Sequence, residues 1–329
     1  MPSITKFHSI SKKITVALVG GFLLLFLLFH MLANLCILRN DNGLWYTLFC
    51  NFMGSNPVVK AVEILLFACL AIHIILTVWL TVTNLKARPI GYHRRSRSTT
   101  APASKLMIWT GILILFGLLA HFGDFFFAKF DAPTFNEPVY IIDAKKLITD
   151  DVLMLRNAAA ERGLTPDEFL NQYQANIEEF AATASHEELA ELHMTTPSEY
   201  TDKLRLLIPV VQFLDQPHDI LHTPKHHYIR NIAKTDRLKL QEAIEGLNFY
   251  PDFYTMARTT FASPYICIVY LIFFVVLFIH MRHAFSSAFQ TLGLTNSRYF
   301  PVIDWLGIIY AIIILLGFSA IPITIYFFL

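Results

Sequence analysis

The chain has 329 residues, of which 55% are hydrophobic, 29 are phenylalanine and only 16% are charged, with a formal net charge of +1. That composition excludes an ordinary water-soluble domain of this length, which carries about a quarter charged residues and lacks repeated long apolar runs. The near-neutral charge also excludes a basic footprint for nucleic acid.

A membrane span needs about 20 mostly apolar residues, and five segments qualify, roughly 14–38, 58–84, 105–128, 264–284 and 303–328. Span 1 is too long for a signal peptide and no small-residue cleavage site follows it. In Leu32-Ala33-Asn34-Leu35-Cys36, Leu35 stands where a lipoprotein signal wants a small residue, so the span is expected to be retained. It carries Gly20 and His30. Beyond it, Cys36 and Cys50 pair only if that side is oxidising. The four cysteines show no CxxC spacing, which speaks against a thiolate metal site. Trp45 and Tyr46 suit an interfacial aromatic belt or a stacking surface. Span 2 carries Glu63, with Lys60 one turn before it, and His73. Span 3 carries Gly111, His121 and Asp124. A polar stretch, 129–261, separates spans 3 and 4. Thr165-Pro166-Asp167-Glu168 and Ser185-His186-Glu187-Glu188 each have the form of a capping box at a helix start. Gly163 and Gly246 suit helix ends. A mainly helical extramembrane domain without a phosphate loop or dinucleotide fingerprint is predicted there. Within it His218, His222, His226 and His227 cluster, but Pro224 interrupts a helix, so solvated surface is favoured over a metal site. Span 4 carries His280, Arg282 and His283. Span 5 carries no histidine. The blocks are thus 1–128 (spans 1–3), 129–261 (insertion) and 262–329 (spans 4 and 5).

Lys and Arg mark the cytoplasmic side. They gather in the N-terminal arm (Lys6, Lys12, Lys13), in the loop after span 2 (Lys86, Arg88, Arg94, Arg95, Arg97) and between spans 4 and 5 (Arg282, Arg298). The N-terminus is therefore expected inside, with the C-terminus and the insertion outside. Each histidine lies about two-thirds along its span, and the direction of the chain alternates. His30 and His121 then share the outer level, and His73 and His280 the inner one.

Ionisable groups inside a bilayer are costly and mark function by default. A lone intramembrane histidine is more often a hydrogen-bonding residue, but four in matched pairs suit two low-spin haems b, each held by two imidazoles with no position open to oxygen. His280 is favoured over His283, which is one turn nearer the basic loop. Gly20 and Gly111 each lie ten residues before a histidine. Ten helical residues rise about 15 Å, which puts both glycines at the level of the other pair, where a flat macrocycle needs room. Helix packing through small residues is the alternative. Arg94, Arg95, Arg282 and His283 suit haem propionates on the inner side, although topology alone accounts for most of these arginines.

Several stretches resemble a known family. They are Ser11-Lys12-Lys13 leading to Gly20-Gly21 and Leu28-Phe29-His30-Met31-Leu32; Ala87-Arg88-Pro89-Ile90-Gly91-Tyr92; Phe253-Tyr254-Thr255-Met256 with Ser263-Pro264; and His280-Met281-Arg282-His283-Ala284-Phe285 running through Ser287 to Gln290-Thr291-Leu292-Gly293. Over about 1–128 and 252–329 the chain resembles the single-subunit, five-span, dihaem cytochrome b anchor of succinate dehydrogenases and fumarate reductases. The family typically has Gly where Ala284 stands, and it has no insertion of this size. The resemblance implies an all-α five-helix membrane bundle. It implies His30 with His121 at a distal haem and His73 with His280 at a proximal haem, the pairs that topology also yields. It implies a flavoprotein with covalent FAD and an iron–sulfur protein as cytoplasmic partners, in a bacterial inner membrane, with electrons passing to membrane quinone, menaquinone by family type. A homodimer of the complex is compatible with it.

Quinone reduction takes two electrons and two protons, so Asp124 and Glu63, in the outer halves of their spans, are the residues singled out for proton chemistry. An interfacial role for Asp124 and a pair with Lys60 for Glu63 are the plain alternatives. A cytochrome b subunit of a hydrogenase or formate dehydrogenase, and a haem-free transport or structural membrane protein, are the competing readings. Co-purification with a flavoprotein separates the first, and a colourless pure protein would support the second.

Overall fold

The computed structural model describes residues 9–86, 102–130, 132, 134–172, 183, 185, 197–223, 226–294 and 296–329. The described residues divide into two compact units, one formed by Met1–Phe126 with Ala257–Leu329 and the other by Phe127–Met256.

The first unit is helical. Its elements are α1 (Ser9–Leu35), the short α2 (Leu44–Ser55), α3 (Pro57–Lys86), α4 (Pro102–Asp124), α9 (Pro264–Thr291) and α10 (Phe300–Phe328). Among the described residues five helices are long and apolar enough to cross a membrane: Ile10–Leu38, Pro57–Lys86, Leu106–Asp124, Pro264–Thr291 and Phe300–Phe328. Most of their side chains face outward, as they must when lipid and not a protein core is the solvent. Ile64, Phe116 and Leu316, for example, are all exposed. Helix packing uses small residues. A Cβ on Gly317 would stand 1.9 Å from Met31 Sδ, and one on Gly117 would stand 2.2 Å from the Phe273 ring. Those glycines are the notches into which a facing side chain fits. Before α2 the chain turns through Asn42 and Gly43, both in the left-handed region.

The second unit contains a sheet. No strand is predicted from the sequence for this region, yet β1 (Val139–Asp143), β2 (Asp219–His222), β3 (His227–Ala233) and β4 (Tyr250–Pro251) form an antiparallel sheet of order β2-β3-β1-β4. Ile142 pairs with Ile229, and the register slips at a bulge between Tyr140 and Ile142. β1 reads as a short unbroken apolar run because three of its five residues are buried, and such a run does not declare its type by periodicity. Helices α5 (Asp150–Glu161), α6 (Pro197–Leu214) and α7 (Lys234–Ala243) complete a core around Leu147, Leu155, Leu207, Val210, Ile232 and Leu240. Arg230 is buried within the sheet because its guanidinium makes a two-pronged bond to Asp252, at 2.9 Å on each side. α8 (Phe253–Phe261) leads out of this region, with Asp252 capping its start through the Thr255 N–H and hydroxyl.

The predicted capping box at Thr165 is present. Glu168 N–H donates to Thr165 Oγ1 at 3.2 Å, and Thr165 N–H donates to the Glu168 carboxylate at 2.9 Å. Gly163 and Gly246 adopt left-handed φ values of 67° and 77° after α5 and α7. The second box falls on His186-Glu187-Glu188, outside the described residues. Cys36 and Cys50 are not joined in a disulfide.

Candidate functional site

Packing decides how the four histidines of the spans meet. α1 shares extended contacts with α3 and α9, and α9 shares them with α4. Among the described residues, α1 with α4 and α3 with α9 have no such extended contact. Those diagonal pairs carry His30 with His121 and His73 with His280. The histidines therefore reach toward each other across a gap between backbones.

His30 and His121 stand with ring centroids 5.9 Å apart and planes at 83°. Two imidazoles sharing one iron, at about 2 Å from nitrogen to metal, have ring centres about 6 Å apart. His280 is within electrostatic reach of His73. Among the described residues His73 Nδ1 is buried with no hydrogen-bond partner, a rare state for a buried polar atom and one that a bound group at this nitrogen would relieve. The residues present thus fit a bis-imidazole group at each level.

The glycines stand where the ten-residue offsets place them. A Cβ on Gly20 would lie 3.8 Å from the His73 ring, and one on Gly111 would lie 3.7 Å from the His280 ring. Next to Gly111, Thr110 Oγ1 is 3.0 Å from His280 Nδ1. The Thr110 hydroxyl proton is already engaged by the carbonyls of Leu106 and Met107, at 3.1 Å each. The oxygen therefore accepts, His280 Nδ1 carries the proton, and Nε2 keeps its lone pair for a metal. Supporting bonds of this kind orient a ligating histidine.

His30 has a different support. The Asn34 amide donates to the His30 carbonyl at 2.8 Å and lies 3.3 Å from its Nδ1. Asn34 Oδ1 in turn accepts from the Tyr46 hydroxyl at 2.8 Å. Burial, and then the neighbouring Cys50, hold the Tyr46 phenol well above its ordinary pKa, so it stays a donor. Tyr46 is buried and does not offer a stacking face, whereas Trp45 is partly exposed and stacks on Phe49.

Asp124 is 5% exposed and accepts a 2.6 Å bond from the Tyr270 hydroxyl. The Tyr270 ring meets His121 edge-on at 6.3 Å. Asp124, Tyr270 and His121 therefore form one cluster beside the His30–His121 pair. Glu63 is half-buried on α3, ten residues before His73, and is engaged by a neighbour. Arg282 is exposed, and His283 is half-buried within electrostatic reach of His280. Arg94, Arg95 and the Ala87–Tyr92 stretch lie outside the described residues.

Thr110, Asn34 and Tyr270 were not singled out from the sequence. Thr110 and Asn34 are polar residues inside apolar runs, a signal that was available. Tyr270 is one tyrosine among 13, and nothing local marks it.

Comparison of the chain with family models, with curated proteins and with solved structures returned no match.

Proposed function

We propose that the chain is the dihaem cytochrome b anchor of a membrane complex of the succinate dehydrogenase and fumarate reductase type, a succinate:menaquinone oxidoreductase subunit. The observation that carries this reading is the placing of two histidine pairs on diagonal helices, with a glycine against each ring of the second pair. His30 with His121 would hold one haem b, and His73 with His280 the other. When bound, each haem supplies a reversible one-electron carrier without an open coordination site.

The chain's own groups orient and insulate. Thr110 presents His280 Nε2. Asn34, steadied by Tyr46, fixes the rotamer of His30. Gly20 and Gly111 leave space beside the second pair. Asp124 and Tyr270 hold a proton in a short hydrogen bond beside His121, at the level where a quinone taking up two protons would need one; Glu63 is the second carboxyl proposed for this work. Arg282 and His283, with Arg94, would meet propionates at the opposite end. In this reading the His73–His280 level faces the cytoplasm of a bacterial cell. There an iron–sulfur subunit hands over electrons from a flavoprotein, and succinate chemistry belongs to that flavoprotein.

The decisive experiment is a visible-spectrum redox titration of the purified membrane complex, with haem quantified per polypeptide. Two low-spin b haems at distinct potentials are expected, in company with a flavoprotein that retains its flavin on denaturation. One haem or none overturns the dihaem reading. Two haems with no flavoprotein partner would point to the anchor of a different respiratory complex.

A further inference from the structure

The second unit holds a histidine cluster that the proposed electron path does not use. The spacing of His218, His222 and His226 is that of a helix face, but the chain here is a hairpin, with β2 ending at His222 and β3 starting at His227. Thr223 N–H donates to the His226 carbonyl at 2.8 Å, and His226 N–H donates to Thr223 Oγ1 at 2.8 Å, so these two residues are tied to each other. The strand register then sets His222 directly opposite His227. The pair that follows a hydrogen-bonded pair in an antiparallel ladder is the one whose side chains stand closest, with Cα atoms about 4.5 Å apart. Accordingly the two exposed rings lie 4.9 Å apart between centroids, with Nδ1 to Nδ1 at 2.8 Å.

The pleat separates this pair from its neighbours. His226, one residue away, turns to the other face, where its Nδ1 is 2.6 Å from Asp143 Oδ2 and its ring packs near Tyr228. His218 precedes β2 and bonds the Phe213 carbonyl. Among the described residues no group of three or more His, Cys, Asp or Glu side chains gathers around a common point. The pair is thus a two-ligand unit whose outer side is open to water.

We propose that His222 and His227 chelate a late first-row divalent metal ion, Cu(II) or Ni(II), on the surface of this unit. The 2.8 Å contact is the length of an N–H···N hydrogen bond, and it places both Nδ1 atoms within reach of one ion once the rings turn toward it. Two imidazoles with the remaining positions open to water suit a late first-row divalent ion, with Cu(II) bound most tightly of the series. The β2–β3 register brings the two rings together before any metal arrives, so little side-chain freedom is left to lose on binding. In the metal-free pair one Nδ1 carries a proton and donates it to the other. On chelation that ring moves its proton to Nε2, both Nδ1 lone pairs face the metal, and no net proton is released.

The test uses the full chain in detergent with any affinity tag removed, titrated with CuCl2 and followed by calorimetry and by the electron paramagnetic resonance of Cu(II). One equivalent is expected to bind with a two-nitrogen hyperfine pattern. His222→Ala and His227→Ala are each expected to weaken binding about tenfold or more and to erase that pattern. His226→Ala, on the opposite face, is expected to leave both unchanged. Unaltered binding in His222→Ala overturns the proposal. So does equal loss in His226→Ala, which would mean only adventitious binding to a histidine-rich surface. All three side chains are exposed, so the variants keep the fold.

Discussion

A single hydroxyl proton settles which nitrogen of His280 is available. Thr110 spends its proton on its own helix, as threonines inside apolar helices commonly do, and so accepts from the imidazole. At the other level the polar group beside His121 is Asp124, whose depth in span 3 is readable from the sequence. Its partner Tyr270 is 146 residues away along the chain and is not. Positioned acid–base groups contribute about 100-fold or more to a proton-coupled step. We expect Asp124→Asn and Tyr270→Phe each to slow quinone turnover by at least about tenfold while both haem absorbances persist. Steady-state assays with a menaquinol analogue beside the visible spectrum check this, and normal turnover in Asp124→Asn would remove the proton role. The Thr165–Glu168 box is a residue-scale feature that was fully legible, because it is closed within four consecutive residues. The Thr165 N–H and hydroxyl hold the Glu168 carboxyl below its ordinary pKa. Its contribution is therefore present above the unfolded-state pKa and fades as pH falls through the folded one.

At the scale of elements, glycine separates what spacing predicts from what packing demands. Gly20 and Gly111 were placed by counting ten residues back from a histidine, and the rings of His73 and His280 stand against them. Gly117 and Gly317 have no such rule; they are notches for Phe273 and Met31, side chains of other helices. Gly111→Leu is expected to cost the haem at the His73–His280 level and to keep the other, halving the haem per polypeptide. Gly21→Leu is the control, since no described residue lies within 4 Å of a Cβ there, and both haems should remain. Loss of both haems, or of neither, in Gly111→Leu would show that this glycine is not shaping the cofactor slot. In the second unit one helix start, at Thr165, and the glycines that follow α5 and α7 were legible. The strands were not: β1 is a buried apolar run, β3 breaks its alternation with two buried residues in succession, and β4 is only two residues long.

At the scale of the whole molecule, two units follow two different solvents. The spans turn apolar side chains outward and keep their polar groups within, whereas Phe127–Met256 has an apolar core of its own. Arg230 and Asp252 are both fully buried against each other in that second unit, at 2% and 0% exposure. Removing one member of a buried pair strands the other charge, at about 3–5 kcal/mol. Asp252→Ala is expected to unfold the second unit at markedly lower temperature, read by limited proteolysis across a thermal ramp, while the haem spectrum is retained. An unchanged melting profile would mean that Asp219, whose carboxylate is 3.7 Å from Arg230 Nε, or water satisfies the guanidinium.

The number of membrane-crossing helices, the depth of each histidine and the glycine offsets follow from the sequence by itself, because hydropathy and a rise of about 1.5 Å per residue are properties of one segment at a time. The tertiary structure decided which helices lie on the diagonals, which hydroxyl supports which imidazole and that a sheet organises the second unit. Those relations join residues brought together only when the chain folds back on itself, and no local pattern encodes the partner.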